Sequence, residues 1–129
     1  VCSFSSRRTN STPTFRRGLK SAQLLRIFIG ESDQWAGRPL HQAIVEAARE
    51  EGLAGASAFK GFMGYGRNSE LHTANLLRLS EDLPVVVEIV DEGPQLSRFL
   101  RRHVDRMMRD GLVTIEKARV LRRRGRLKA

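Results

Sequence analysis

The sequence predicts an α+β domain in which an antiparallel sheet carries two helices on one face. Short β-prone segments alternate with two longer segments of helical period, in the order strand, helix, strand, strand, helix, strand. The length of 129 residues and the 40% hydrophobic content suit one domain with an ordinary core. Unbroken apolar runs reach only four or five residues, so no transmembrane helix is predicted.

The first strand is predicted at residues 23–30, where Leu25, Ile27 and Ile29 alternate with residues of the opposite face and Gly30 ends the pattern. Residues 31–37 form a polar connection. There we interpret the carboxylates of Glu31 and Asp33 as a helix cap rather than a cation site, and Trp35 as a packing residue rather than a base-stacking one.

The first helix is predicted to begin near Pro39, which suits a first helical turn, and to end at Gly52. Its apolar face comprises Leu40, Ile44, Ala47 and Ala48. A second strand follows at about residues 56–65, and a third at residues 85–90 is opened by Pro84 and has a strong β-branched run.

The second helix is predicted between the turn at residues 91–94 and Gly111. One face carries Leu96, Phe99, Leu100, His103, Val104, Met107 and Met108. The last strand is expected at residues 112–115 and 118–121, with an interruption near Glu116 and Lys117. This order is the split βαβ or ferredoxin-like pattern. Apolar residues on both faces of the first and third strands predict that a neighbouring subunit covers the face opposite the helices.

Basic residues are concentrated at the two ends of the chain. The formal net charge is +9. Residues 1–23 carry five basic and no acidic side chains, and residues 117–129 carry seven basic and no acidic side chains. Residues 24–116 carry 11 basic and 14 acidic side chains. We therefore expect a disordered basic extension at residues 1–22, a domain at 23–122 and a basic tail at 123–129. The extension also resembles a transit peptide, and an upstream vector sequence or a misplaced start is an open alternative.

Cysteine and histidine usage gives little support for an enzyme or a metal site. The only cysteine is Cys2, which permits no intrachain disulfide or cysteine cluster and suits a reducing cytoplasm. We expect His41 to face solvent and His103 to pack on the apolar helix face. His72 stands in a polar loop as a ligand or a loop-shaping donor. No catalytic or metal residues are predicted.

The segment at residues 61–73 is the strongest candidate for function. Gly61, Gly64 and Gly66 permit close backbone approach, and a polar stretch with the fixed charge of Arg67 follows them. That chemistry suits an anionic ligand. A second interpretation stays open, in which the glycines only relieve crowding in a hairpin.

Several segments resemble one family of bacterial PII-like proteins, the domain of unknown function 190. They are Ile27-Phe28-Ile29-Gly30-Glu31-Ser32-Asp33, Gly37-Arg38-Pro39-Leu40, Gly61-Phe62-Met63-Gly64-Tyr65-Gly66, His72-Thr73 and Leu77-Arg78-Leu79-Ser80-Glu81-Asp82-Leu83-Pro84. The resemblance covers residues 23–122. It implies a non-enzymatic homotrimer of ferredoxin-like fold that binds a small anionic ligand, such as an adenine nucleotide, in clefts between subunits and requires no cofactor.

By the same resemblance, residues 67–75 would form the loop that contacts a partner, such as a membrane transporter or an enzyme. The implied ligand-binding residues are Gly64, Tyr65, Gly66, Arg67, Asn68, His72, Arg122 and Arg124, with Arg123 fitting after a one-residue shift. Three features depart from PII proteins. Only Asp110 and Gly111 stand where PII proteins have a glycine-rich phosphate loop, Asn68 replaces a glutamine, and the loop has no tyrosine for uridylylation.

The alternative function is a polyanion-binding protein that uses its basic tails on nucleic acid or an anionic membrane. No stacking aromatics accompany the tails and no nucleic-acid motif is present, so direct nucleic-acid binding is not favoured.

Overall fold

The main sheet has the two longest strands at its centre. The computed structural model describes residues 22–66, 71–73 and 82–121. The strands are β1 (Ala22–Gly30), β2 (Gln34–Trp35), β3 (Arg38–Pro39), β4 (Ser57–Lys60), β5 (Met63–Gly64), β6 (His72–Thr73), β7 (Pro84–Glu92) and β8 (Leu112–Lys117). Helix α1 spans Leu40–Glu50, and helix α2 runs from Gly93 to Met107.

The order of the main sheet is β4-β7-β1-β8, and every neighbouring pair is antiparallel. Strands β1 and β7 pair over their whole length, from Ala22 opposite Glu92 to Gly30 opposite Pro84. Each helix connects two strands that are not neighbours in the sheet. The predicted ferredoxin-like fold class is confirmed.

The core lies between the sheet and the two helices. Leu25 and Ile27 of β1 and Val87 and Ile89 of β7 point from the sheet into this layer and are almost completely buried. The helices contribute Leu40, Ala43, Ile44, Ala47, Ala48, Leu96, Phe99, Val104 and Met107. The apolar faces predicted for both helices are therefore confirmed, and Trp35 packs against the same core.

Helix α2 contains a wider turn that its sequence period does not reveal. It is α-helical at Gly93–Phe99, π-helical at Leu100–Val104 and α-helical again at Asp105–Met107. A π segment accommodates one additional residue per turn and often marks a functional position. No helix in the described ranges is long and apolar enough to cross a membrane.

Two strand boundaries differ from the prediction. The second strand does not continue from residue 56 to residue 65, because the sheet pairing of β4 stops at Lys60 and a separate two-residue strand, β5, pairs with β6. The last strand is continuous through Lys117, which pairs with Gln23 of β1. The strand ends there rather than at residue 121, and the Ala118 amide donates a hydrogen bond to the carbonyl oxygen of Ala22, the first described residue of β1.

The connection between β1 and α1 also differs from its predicted role. Asp33 does not cap α1 with its side chain; its Oδ2 accepts a hydrogen bond from the Gly30 amide at 2.8 Å, and its carbonyl oxygen accepts one from the Leu40 amide at 2.7 Å. Glu31 forms an ion pair with Lys60, with 2.6 Å between the carboxylate and Nζ. These two carboxylates tie the end of β1 to its neighbours.

Candidate functional site

Pro84 explains two of the three glycines in the candidate segment. A Cβ atom at Gly61 would lie 2.7 Å from Pro84 Cγ, and one at Gly64 would lie 2.9 Å from the same atom. The Gly61 amide donates a hydrogen bond to the Pro84 carbonyl oxygen at 2.7 Å. Gly61 and Gly64 are therefore required by packing inside the chain, as the crowding interpretation proposes.

Gly66 has no such requirement. Among the described residues, no heavy atom outside its chain neighbours lies within 4 Å of a Cβ built at this position, and its φ angle is not in the left-handed region. Neither sterics nor backbone conformation within the described chain demands glycine here. The surface at Gly66 is therefore open to close approach by another molecule.

Large apolar side chains surround this open position. Phe62 and Tyr65 are 75% and 73% exposed, and Met63 and Leu71 are exposed as well. A cluster of this kind at one end of a sheet is typical of a binding surface rather than of a solvated loop. We call residues 61–66 and 71–73 the glycine hairpin.

The hairpin brings some of the predicted ligand-binding residues together. Gly64 of β5 is paired with His72 of β6, so their backbones are adjacent, and Tyr65 and Gly66 follow directly on the exposed side of the turn. Arg67, Asn68, Arg122 and Arg124, like Arg123, lie outside the described residues.

Arg122, Arg123 and Arg124 come after β8 in the sequence, and β8 ends at the opposite end of the sheet from the hairpin. The hairpin packs on Pro84, where β7 begins, whereas the chain leaves β8 beside the start of β1, since the Ala118 amide donates to the Ala22 carbonyl oxygen at 2.9 Å. The nine residues of β1 separate these ends by roughly 26 Å, at about 3.3 Å per residue. The last described residue, Leu121, is only three residues beyond Ala118.

The face of the sheet opposite the helices carries an apolar row that crosses all four strands. Phe59 of β4 is opposite Val86 of β7, Val86 is opposite Phe28 of β1, and Phe28 is opposite Leu112 of β8. Directly opposite residues of an antiparallel pair share a face. Phe59 is 51% and Leu112 57% exposed, so the row is uncovered in a single chain.

An ion-pair network follows this row on the same face. Arg26 Nε lies 3.0 Å from Glu88 of β7, and its Nη1 lies 2.6 Å from Glu116 of β8. The hydrogen bond to Glu88, aided by the negative charge of both carboxylates, raises the pKa of the Arg26 guanidinium. The ion pairs of Arg26 thus connect β1 with β7 and β8 beside the apolar row.

The two histidines of the helical layer, His41 and His103, differ in their surroundings. His103 packs on the Phe99 ring, with 5.6 Å between ring centroids, and its Nε2 donates to Glu51 Oε1 at 2.8 Å. The packing role predicted for His103 is therefore found. The expected exposure of His41 is wrong: it is half-buried, and its Nδ1 is buried without a hydrogen-bond partner in the described part of the chain. The described ranges contain no cluster of three or more metal-ligating side chains.

Gly111 has a structural role at the point where PII proteins carry a phosphate loop. Its φ angle is 141°, and a Cβ atom would lie 2.6 Å from the carbonyl oxygen of Phe28 and from Met108 Cε. Glycine is therefore needed to pass the chain closely over β1.

The apolar row and the role of Pro84 could not be inferred from the sequence. The row depends on strand register, and Pro84 lies 20 and 23 positions from Gly64 and Gly61, the two glycines that it crowds. The available signal was the run of apolar residues on both faces of β1 and β7.

Comparison with protein families decides the relationship. The model of DUF190, described as an uncharacterized ACR family, matches residues 22–120. The chain belongs to the DUF190 family. This confirms the family identified from the sequence motifs.

Relatives of this DUF190 chain carry the name UPF0166 protein. One from Aquifex aeolicus is 39% identical over 99 residues, which is 77% of this chain and 92% of that protein. One from Methanocaldococcus jannaschii is 32% identical over 94 residues, which is 73% of this chain and 86% of that protein.

Solved structures with the same fold include two of CPII, a nitrogen regulatory PII-like protein from Thiomonas intermedia K12. One was determined with ADP, AMP and bicarbonate and the other with ADP and bicarbonate. Their TM-scores are 0.55 and 0.53 at 12% and 13% sequence identity, and each comparison covers 78% of this chain and 89% of CPII. At this identity the similarity establishes the PII-like fold.

Proposed function

We propose that the chain is a non-enzymatic PII-like regulatory protein that forms a homotrimer and binds a small anionic metabolite or nucleotide between subunits. The observation that carries this proposal is the glycine hairpin. Within the described residues, neither packing nor backbone conformation accounts for Gly66 or for the exposed aromatic side chains beside it, and in the sequence they precede a polar segment containing Arg67.

The separation of the two halves of the predicted site supports binding between subunits. Gly64, Tyr65 and Gly66 lie at one end of the sheet, whereas Arg122 and Arg124 follow from the other end. We propose that the site takes these two sets from two copies of the chain. The uncovered apolar row supplies a surface through which copies can associate.

An adenine nucleotide is the preferred ligand. CPII, which shares the fold, was determined with ADP, AMP and bicarbonate. In the proposed cleft, the open backbone at Gly66 permits close approach of the ligand. Arg67 of one copy and Arg122 and Arg124 of its neighbour provide forked donors that suit phosphate oxygens. Asn68 and His72 complete the donor set.

The segment at residues 67–75 follows Gly66 in the sequence. It is proposed to contact the partner, a membrane transporter or an enzyme. Ligand binding beside Gly66 would then change the contact that this segment makes. The single cysteine fits a reducing cytoplasm as the place of action.

The proposal is tested by thermal unfolding of the full chain with ADP, AMP, bicarbonate and 2-oxoglutarate, combined with mass measurement by light scattering. A ligand at about 100 times its Kd should add about 2.7 kcal/mol to the free energy of unfolding. We expect a trimer that is stabilised by an adenine nucleotide. A monomer, or a trimer that responds to none of these compounds, would contradict the proposal.

The Arg67→Ala variant locates the site. We expect it to lose most of the stabilisation by nucleotide while it retains the trimer mass, because it removes a charged donor to phosphate. The matched control is Arg49→Ala, which removes an exposed arginine from α1. If Arg67→Ala and the control bind nucleotide with equal affinity, the hairpin is not part of the nucleotide site.

One observation favours the second candidate function, binding of a polyanion by the tails. Ala22 and Ala118 are hydrogen-bonded neighbours, so the basic segments before and after them are attached at the same end of the sheet. Deleting residues 1–21 and 125–129 spares Arg122, Arg123 and Arg124 and separates the two functions. If the chain is a PII-like regulator, the deleted protein should still bind nucleotide. If the chain acts through its tails, the deleted protein should lose its salt-sensitive binding of DNA.

A further inference from the structure

The solvent side of α2 carries a concentration of arginine that neither the hairpin nor the tails involve. Every arginine of α2 and of the turn that follows it is exposed. We call this set the arginine face: Arg98, Arg101, Arg102, Arg106 and Arg109. No lysine belongs to it.

Most of the arginine face is unpaired within the chain. Arg102 lies 3.5 Å from Glu51 Oε1, a long ion pair whose arginine side chain is well exposed. Within the described ranges, the other four arginines have no ion pair with a carboxylate. Arg98, Arg102 and Arg106 recur every four residues, a spacing at which like charges disfavour a helix. An external partner that supplies negative charge would relieve this repulsion.

The arginine face is separate from the apolar surfaces. The exposed large apolar side chains of the described chain belong to the sheet, the hairpin and residue 121, and none belongs to α1 or α2. A helix that enters a membrane interface needs an exposed apolar face, and here the apolar side of α2 is occupied by the core. The helix layer is thus left as a charged outer surface.

The arginine face is also narrow. Its neighbour α1 carries Glu46 and Glu50 and is followed by Glu51, which contacts α2 through His103. Asp105 interrupts the arginines themselves. A duplex or a bilayer would bring its negative charges onto these carboxylates as well, whereas a single peptide segment covers only the basic stripe.

We propose that the arginine face is the docking site for an acidic peptide segment of a partner protein. Arginine forks hold carboxylates through two parallel hydrogen bonds, which lysine cannot do. The segment would place aspartate and glutamate side chains along Arg98, Arg102 and Arg106. This site is independent of the proposed nucleotide site, so each can fail without the other.

The test measures binding of the full chain to fluorescein-labelled poly-L-glutamate of about 20 residues by anisotropy, a length that spans α2 at about 1.5 Å per residue even if the bound peptide is helical. The variant carries Arg98→Gln, Arg102→Gln and Arg106→Gln, and the control carries Arg7→Gln, Arg8→Gln and Arg16→Gln, with the same change of charge. Three exposed pairs of about 0.5 kcal/mol each predict about a tenfold loss of affinity in the variant and little change in the control. If the variant and the control lose the same affinity for poly-L-glutamate, the effect depends only on net charge, and the proposal is overturned.

A second variant separates docking from bare charge and from misfolding. Arg98→Lys, Arg102→Lys and Arg106→Lys keep the charge and have good helix propensity. We expect a measurable loss of poly-L-glutamate affinity because the forked hydrogen bonds are gone. Full retention of affinity would overturn the site, as would a duplex DNA of equal charge that binds more tightly than poly-L-glutamate and depends on the same three arginines.

Discussion

At the scale of single residues, Pro84 and Gly66 have opposite relations to the rest of the chain. The ring of Pro84 fills the space that a side chain at Gly61 or Gly64 would need, while Gly66 faces open space. The glycines in the sequence identified this segment as a candidate site, but the sequence did not show which of them are required by packing. A glycine required by a distant proline and one that no described neighbour requires look alike without the fold.

We predict that Gly64→Ala lowers the free energy of unfolding by about 1–2 kcal/mol, because its methyl group overpacks against Pro84. Gly66→Ala should change stability by less than about 0.5 kcal/mol, as expected at an open surface position. Urea unfolding of both variants measures the difference.

The double variant Gly64→Ala with Pro84→Ala provides the control. If the proline ring is the cause, the double variant loses less than the sum of the two single changes. Additive losses would show that Gly64 is needed for another reason.

At the scale of elements, the two helices are joined by a contact between the end of α1 and the π segment of α2. Glu51 accepts a hydrogen bond from His103 and lies near Arg102. The hydrogen bond from His103, followed by the positive charge of Arg102, lowers the pKa of the Glu51 carboxyl. The folded protein therefore binds a proton at this carboxyl less readily than the unfolded chain does.

The pH dependence follows from that direction. The contribution of Glu51 is fully present above the unfolded carboxyl pKa of about 4.3 and is lost as the pH falls through the lower folded value. We predict that Glu51→Gln lowers the free energy of unfolding by about 1 kcal/mol at pH 7 and that this difference from wild type shrinks between about pH 5 and pH 3.

The adjacent Glu50 is exposed and makes no such contact, which makes Glu50→Gln the matched control. Denaturant titrations at pH 7 and pH 3.5 carry out the comparison. A constant difference between wild type and Glu51→Gln across this range would contradict the assignment of the acid sensitivity to Glu51.

Element identity was largely predictable and element boundaries were not. The period of two in β1 and the apolar faces of both helices are local patterns, and the structure confirms them. The end of β8 at Lys117, the break after Lys60 and the side-chain role of Asp33 depend on partners distant in sequence. The π segment could not be predicted from the sequence either, because its apolar residues fit an α-helical period.

At the scale of the whole molecule, the uncovered sheet face is the main feature that one chain leaves incomplete. Phe28 and Val86 stand at the centre of the apolar row, and the Arg26 network lies beside them. The sequence predicted an apolar second face, but the row appears only when four strands take their register. The arrangement of copies around it stays a prediction.

We predict that Phe28→Glu converts the proposed trimer to a folded monomer, because a charge is placed in the row without removing a core contact. Light scattering measures the mass, and circular dichroism checks that the fold is retained. The control Arg49→Glu places the same side chain on the helix surface and should leave the mass unchanged. A trimer that persists in Phe28→Glu would exclude this face as the interface.

The contact between Gly64 and Pro84 has a consequence for how the family can vary. It places Gly64 and Pro84, the residues on either side of positions 65–83, next to each other at one end of the sheet. The entropy of closing a loop grows only with the logarithm of its length, so doubling an insertion costs about 0.6 kcal/mol. A change in the length of this segment should therefore cost little stability and leave the sheet pairing of β1 and β7 intact.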